Sequence, residues 1–404
     1  MSLTTSNGFK PLEERLFYVL LLVGGSVTAA GLGAAHFMEE HGHAVTGMTN
    51  QVVWGLPHVF AIFMIVAASG VLNVASIGSV FGHAVYKPRA PLSALLSLAL
   101  LAGGLVVLML DLGRPERVIV AATHYNFSSV FAWNVFLYTG MFAIVAIYLW
   151  TMFERRMNRY TKAAGIAALV WRFVLTTGTG SIFAFLVARQ AYQSALLAPL
   201  FIVLSFAWGL AVFLIVQSAM LAWNGQRLSE EVRNRLARLL GIFVAAALYL
   251  VAVYHMTNLY FAHQSAFEAF ILLGSGGEAG ILPWLFWGGY VGLGALLPLA
   301  LLWRPRGAGH RATLAGSALV VLGAFALLFV FIIGGQSFPL EIFPGHVVSS
   351  TFGDGAIEIY APRWPEWLLG FGGLGVAFLM TTIGVRVLDF LPRDDIKTTA
   401  TVAR

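Results

Sequence analysis

Ten stretches of this chain, at approximately 16–38, 52–76, 91–110, 130–152, 166–190, 195–223, 239–262, 282–304, 312–335 and 365–390, are apolar almost without interruption. Crossing about 30 Å of hydrocarbon takes roughly 20 residues of helix. Inside that medium each backbone amide has to find its partner within its own segment. The pattern therefore predicts an all-α integral membrane protein with about ten transmembrane helices. No intervening segment is long enough to fold as a separate soluble unit, so the whole sequence, 1–404, reads as a single transmembrane domain. The longest connection, about 336–364, carries Pro, Gly and aromatic residues and reads as an ordered cap or docking surface. The polar opening MSLTTSNGFKPLEERL lacks the marks of a cleaved signal, so the first run is expected to stay as a span.

Charge is scarce, at 10% of residues, so its placement is informative. If the spans alternate, the segments VFGHAVYKPRA, FERRMNRYTKAAG, NGQRLSEEVRNRLAR and RPRGAGHR share one side with both termini and hold most of the Lys and Arg. The opposite loops carry few cations beyond Arg114, Arg117, Arg189 and Arg363. The positive-inside bias then puts both termini in the cytoplasm. A net charge of +6 spread over short loops forms no basic block, which argues for topology and against nucleic-acid binding. The protein has no cysteine, so it can ligate no thiolate-bound iron–sulfur cluster and form no disulfide of its own.

Polar groups within the spans gather at one depth. His58 lies near the start of the second span and His255 near the end of the seventh, while Asp111 closes the third and Asn134 opens the fourth. Arg189 ends the fifth span, which also holds LTTGTGSIF, with Thr176, Thr177, Thr179 and Ser181 around Gly178 and Gly180. Within seven positions, Asp111, Arg114 and Arg117 break a long uncharged stretch, and Pro115 is placed to begin a short surface helix. Each feature alone has an ordinary reading. Asp111 and Arg114 can form an interfacial cap, the Thr/Gly run can serve close helix packing, and His41, His43, His124, His263, His310 and His346 read as solvated loop residues with no metal-ligand spacing. Their agreement in depth points further. A membrane quinone needs hydrogen-bond partners for its carbonyl oxygens and groups that exchange two protons, and His and Asp supply both. Haem is a rival, with His58 and His255 as axial ligands of a b-type anchor. A secondary transporter is a third class, although broken helices and midplane charges are few.

The motifs LDLGRPER at 110–117 and HYNFSSVFAWNVFLYTG at 124–140 resemble the NrfD/polysulfide-reductase family of membrane subunits. So do NQVVWGLPHVFAIFMIVAASG at 50–70, VWRFVLTTGTGSIFAFLVARQAY at 170–192 and GGQSFPLEIFPG at 334–345, which resemble its ten-span branch in the Dsr and Hme complexes of sulfur-metabolising prokaryotes. The fold this implies is two four-helix bundles plus flanking helices. The resemblance also implies a bacterial cytoplasmic-membrane subunit without its own haem or iron–sulfur cluster. It would exchange electrons between menaquinone or ubiquinone and a periplasmic ferredoxin-like iron–sulfur subunit. Further implied partners are the cytochrome c, cytochrome b and cytoplasmic iron–sulfur subunits of a Dsr-like complex. In polysulfide reductase a histidine and a tyrosine bind quinone. His58 is near the histidine position, whereas the tyrosine falls at Thr177–Gly178, so the phenol is lost and a hydroxyl survives on Thr177. The expected quinone site is thus His58, Asp111, Arg114, Asn134, Thr177 and His255. Within it Asp111 and His58 handle protons, Arg114 tunes the acid, and Arg117 makes a docking or headgroup contact.

Overall fold

The computed structural model describes residues 14–223, 226–274, 279–304, 307–340 and 355–388. The two ends of the sequence, and the 341–354 part of the expected cap, lie outside the described residues. In order the helices are α1 (Glu14–His41), α2 (Leu56–Ser79), α3 (Ala90–Leu110), α4 (Val118–Thr123), α5 (Val130–Phe153), α6 (Thr161–Ala184), α7 (Leu197–Trp223), α8 (Glu230–Tyr260), α9 (Ala262–Leu273), α10 (Leu282–Leu302), α11 (His310–Ser337) and α12 (Trp364–Val387). Ten of them are long and apolar enough to cross a membrane, which makes this an all-α integral membrane protein. The two short helices, α4 and α9, lie between spans.

α2, α3, α5 and α6 close one four-helix bundle, and α7, α8, α10 and α11 close a second. α1 and α12 pair with each other, and α12 leans on α2 and α3. The bundles meet where α7 packs on α2 and α6. With little hydrophobic drive between helices in lipid, close approach depends on small residues. At this seam a Cβ on Gly209 would stand 2.2 Å from the Gly70 carbonyl carbon, so the two backbones touch. α2 is consequently the central helix, 94% buried over its apolar window, whereas α1 is 11% buried and faces outward.

Two connections differ from the sequence reading. The fifth span stops at Ala184 and not near 190, because residues 185–196 turn across the end of the bundle. Arg189 holds that turn by donating to the carbonyls of Gln336 and Gln51, both at 2.8 Å. The stretch expected as a loop at 263–281 begins as the helix α9, which buries Phe267, Phe270 and Ile271 and ends at Gly274 with φ +68°. Apolar composition could not reveal either feature, since a turn pinned by distant carbonyls and a helix too short to span leave no run-length signature.

Parts of α10 and α11, Leu285–Leu296 and Phe329–Gly334, wind as π-helix. Pro298 in α10 has no amide to offer the carbonyl four residues back, which loosens the ladder there. The second π segment runs directly into Gln336, a residue that shapes the site below.

Candidate quinone site

α2 begins at Leu56 with Pro57 in its first turn, and His58 follows one position later. α3 ends at Leu110, and the amide of Asp111 still reaches Val107 O at 3.0 Å. Because the two helices are close antiparallel neighbours, these ends meet, and His58 Nδ1 lies 2.8 Å from Asp111 Oδ2. An imidazolium at a helix N-terminus and a carboxylate at a C-terminus each face the unfavourable end of their own helix dipole. Mutual contact therefore holds this pair. The Asp111 side chain is 1% exposed, and both of its oxygens, like His58 Nδ1, are buried without an aligned hydrogen bond among the described residues, so the 2.8 Å approach is a charge contact. Buried acceptors without a donor are costly.

Beside the pair is an open cleft of about 620 Å³, lined by His58, Asp111, Trp54, Met48, Val53 and His43 among others. Its size suits an aromatic head group. The Trp54 ring stacks along His58, with centroids 6.0 Å apart and planes at 26°. Gln336 fixes that tryptophan through the main chain. Its Oε1 accepts from Val53 N at 3.0 Å and Trp54 N at 2.9 Å, and its Nε2 donates to Trp54 O at 3.0 Å. The other end of the same segment is tied to α12. Tyr360 donates to Glu366 Oε1 and accepts from Leu56 N at 2.7 Å, while Glu366 Oε2 accepts from Gly47 N at 2.7 Å. Burial, and then the Glu366 carboxylate beside it, push the Tyr360 phenol well above its usual range, so it stays a donor at any working pH.

The structure brings His58 and Asp111 together and leaves the other expected residues elsewhere. Arg114 and Arg117 are exposed and Arg114 makes no ion pair among the described residues, so it does not reach Asp111. Thr177 faces outward from α6, whereas its neighbour Thr176 is buried and bonds Ser69 Oγ at 2.6 Å. A hydroxyl at position 177 therefore lies away from the cleft, because the helical turn gives the inward face to Thr176 and Thr179. Asn134 is buried where α5 meets α6, donating to Val130 O at 2.9 Å and Gly178 O at 3.4 Å.

His255 belongs to a second pair, in the other bundle. Its Nδ1 lies 2.7 Å from Glu268 Oε2, and Asn258 Nδ2 donates to Glu268 Oε1 at 2.7 Å. Glu268 is completely buried. Between the two histidines the rings of Trp54, Phe183, Phe331 and Tyr254 follow one another, with centroid spacings of 5.6, 5.0 and 6.4 Å. A haem bridging His58 and His255 would have to displace that row of rings.

Sequence reasoning missed Trp54, Gln336, His43 and Glu268. Trp54 and Gln336 stand inside WGLPH and GGQSF, motifs that carried the family resemblance, and that was the available signal. His43 and Glu268 carried none, since each fell in a segment read as loop.

A profile of the family described as "Polysulphide reductase, NrfD" matches residues 44–340. The Hdr-like menaquinol oxidoreductase integral membrane subunit of Archaeoglobus fulgidus is 30% identical over 396 residues, covering 95% of this protein and 96% of the relative. A selenate reductase subunit of Mesobacillus selenatarsenatis is 22% identical, over 93% of this protein and 94% of its own length. A polysulfide reductase polypeptide of Wolinella succinogenes is 26% identical over 72% of this protein and 96% of its own length. The matched region runs from the segment that carries Trp54 and His58, through the helix end at Asp111, to the Gln336 clamp. With ten spans and full-length relatives of this kind, the protein belongs to the NrfD family of membrane subunits of oxidoreductase complexes.

Proposed function

We propose that the cleft beside His58 and Asp111 binds the head of a membrane quinone, of menaquinone or ubiquinone type. The subunit would then exchange electrons between that quinone and a ferredoxin-like iron–sulfur partner docked on the same face. The observation that carries this reading is the His58–Asp111 contact of 2.8 Å with Asp111 Oδ1 buried and unpaired at the wall of an open cleft. His58 offers a partner to one quinone oxygen, the pair exchanges protons, and Trp54 supplies an aromatic wall. The protein has no cysteine, so any thiolate-bound iron–sulfur cluster belongs to a partner. The names of the relatives, which include a menaquinol oxidoreductase and a polysulfide reductase, support both the ligand class and a sulfur-linked complex. The charge bias of the loops supports cytoplasmic termini, with the cleft on the outer face.

His58→Ala deletes a quinone partner worth about 1 kcal/mol, so the KM for quinol should rise roughly five- to tenfold in an intact complex. An unchanged KM and rate would overturn the assignment of this cleft. Labelling of single cysteines introduced into the cysteine-free protein tests the orientation. Labelling of 226–229 from outside would reverse it.

A further inference from the structure

We propose that His43 relays protons between the quinone cleft and water on the same face, an inference that rests on the quinone reading above. His43 opens a single 3-10 turn, His43–Val45, entered through Gly42 at φ +73°. Both ends of the residue are held. Its carbonyl accepts from Thr46 N at 3.0 Å and Thr46 Oγ1 at 2.6 Å, and its ring Nε2 lies 3.1 Å from the Asp111 carbonyl oxygen. A carbonyl only accepts, so Nε2 carries the proton of the neutral ring and Nδ1 keeps its lone pair. A loop histidine that merely met solvent would gain little from being fixed at backbone and ring together.

The fixed ring forms a wall shared by two cavities. One is the cleft with His58 and Asp111, and the other is a side cavity of about 210 Å³ lined by His36, Glu39 and Pro115. His43, Leu112 and Gly113 line both. His36 and Glu39 are exposed on α1, and His36 Nε2 lies 3.3 Å from Glu40 Oε1. The titratable and charged groups around His43 are therefore Asp111 from α3, His58 from α2, and His36, Glu39 and Glu40 from α1. Glu366 approaches from α12 and Arg363 from the residue before that helix, and exposed Arg114 and Glu116 flank Pro115. Arg363 Nη1 is directed at Ala44 O at 3.5 Å, and Glu366 is occupied by Tyr360 and two backbone amides, so neither competes for the proton.

Oxidation of one quinol to quinone passes two electrons to the iron–sulfur partner and frees two protons, one from each hydroxyl. Each proton enters the His58–Asp111 pair, moves to His43 Nδ1 and leaves past His36 and Glu39 to water. The imidazolium formed at His43 strengthens its Nε2–H bond to Asp111 O, so the ring stays in place while it carries charge. Quinone reduction runs the same route inward.

The test is quinol-driven electron transfer by the intact complex, with a short-tailed naphthoquinol as donor, in light and heavy water. His43→Gln can still hold the Asp111 carbonyl but takes up no proton. Its kcat should fall roughly tenfold, less than the ~100-fold of a direct acid or base, because water in an open cleft carries part of the traffic. KM should stay within about twofold and the solvent isotope effect should rise. Added imidazole should restore part of the rate in His43→Ala. The double variant His36→Gln/Glu39→Gln, at exposed positions, should slow kcat by a smaller factor and keeps the test open if His43 variants fail to assemble. Wild-type kcat and isotope effect in these variants, with His58→Ala still impaired, overturn the relay and leave the quinone site standing. A rise in KM matching that of His58→Ala also overturns it, by making His43 a binding contact. His58→Ala at wild-type KM and kcat overturns the quinone reading instead.

Discussion

His58–Asp111 and His255–Glu268 are the same chemistry placed twice. Each sets an imidazole Nδ1 against a buried carboxylate, at 2.8 and 2.7 Å, although only the second is an aligned hydrogen bond, and each histidine lies within two turns of an end of its span. Their surroundings separate them. Glu268 has both oxygens engaged, by His255 and Asn258, and the apolar cavity that His255 lines measures about 20 Å³, room for about one water. Neither Asp111 oxygen makes a hydrogen bond among the described residues, and the cleft beside it measures about 620 Å³. A buried acid–imidazole pair is therefore not a site by itself. It becomes one where packing leaves an acceptor unmet and an opening to reach it, and otherwise it is a clasp, here fastening α9 to α8.

The sharpest way to break this comparison is to truncate both acids. Glu268→Ala strands His255 and Asn258 in apolar surroundings and should cost about 3–5 kcal/mol of stability. Thermal unfolding in detergent reads this, and Asp111→Ala, whose partner can turn to water, should lose much less. Equal losses would mean that the first pair is a clasp as well.

The next effect is on chemistry. Asp111→Asn keeps shape and removes a proton-exchanging group, so quinol turnover should drop on the order of 100-fold in a complex that still assembles. Glu268→Gln, which keeps a hydrogen-bonding amide at the closed pair, should leave turnover within a few-fold once folded protein is normalised. Stopped-flow oxidation across the pH range compares the two, and a slower Glu268→Gln than Asp111→Asn would exchange their roles.

A smaller effect belongs to the aromatic wall. Trp54→Leu removes a stacked ring worth about 0.5–1.5 kcal/mol, which corresponds to a two- to tenfold rise in quinol KM with the maximal rate little changed. Smallest of all are Thr177→Ala and Arg114→Gln, on exposed side chains that should change KM, rate and pH optimum by no more than the ~0.5 kcal/mol of ordinary surface substitutions. A shifted pH optimum in Arg114→Gln would restore it as the tuner of Asp111.

Much of the fold was legible in the sequence. Run length and the absence of charge were enough for ten spans, since a bilayer leaves a polypeptide few ways to satisfy its backbone. The matched depths of His58, Asp111 and His255 were legible for the same reason: a polar residue's distance from the end of its span is a sequence quantity. The helix end at Ala184 and the helix at 262–273 were not, because both depend on contacts with distant segments, Gln336 and Gln51 in one case and α8 in the other.

Partnership was beyond reach. In sequence His58 is 53 positions from Asp111 and 197 from His255, and nothing in spacing says which acid it meets. Helix neighbours in lipid are chosen by shape, through contacts such as Gly70 against Gly209, and shape is a property of surfaces and not of composition. The sequence by itself determined the membrane, the number of spans and the layer in which chemistry could occur. Tertiary structure alone decided that Asp111 would meet His58 with an oxygen to spare, that Glu268 would be closed around His255, and that Thr177 would face away from both. Packing brings distant helix ends within hydrogen-bond range, and only there does a side chain's chemistry have a partner.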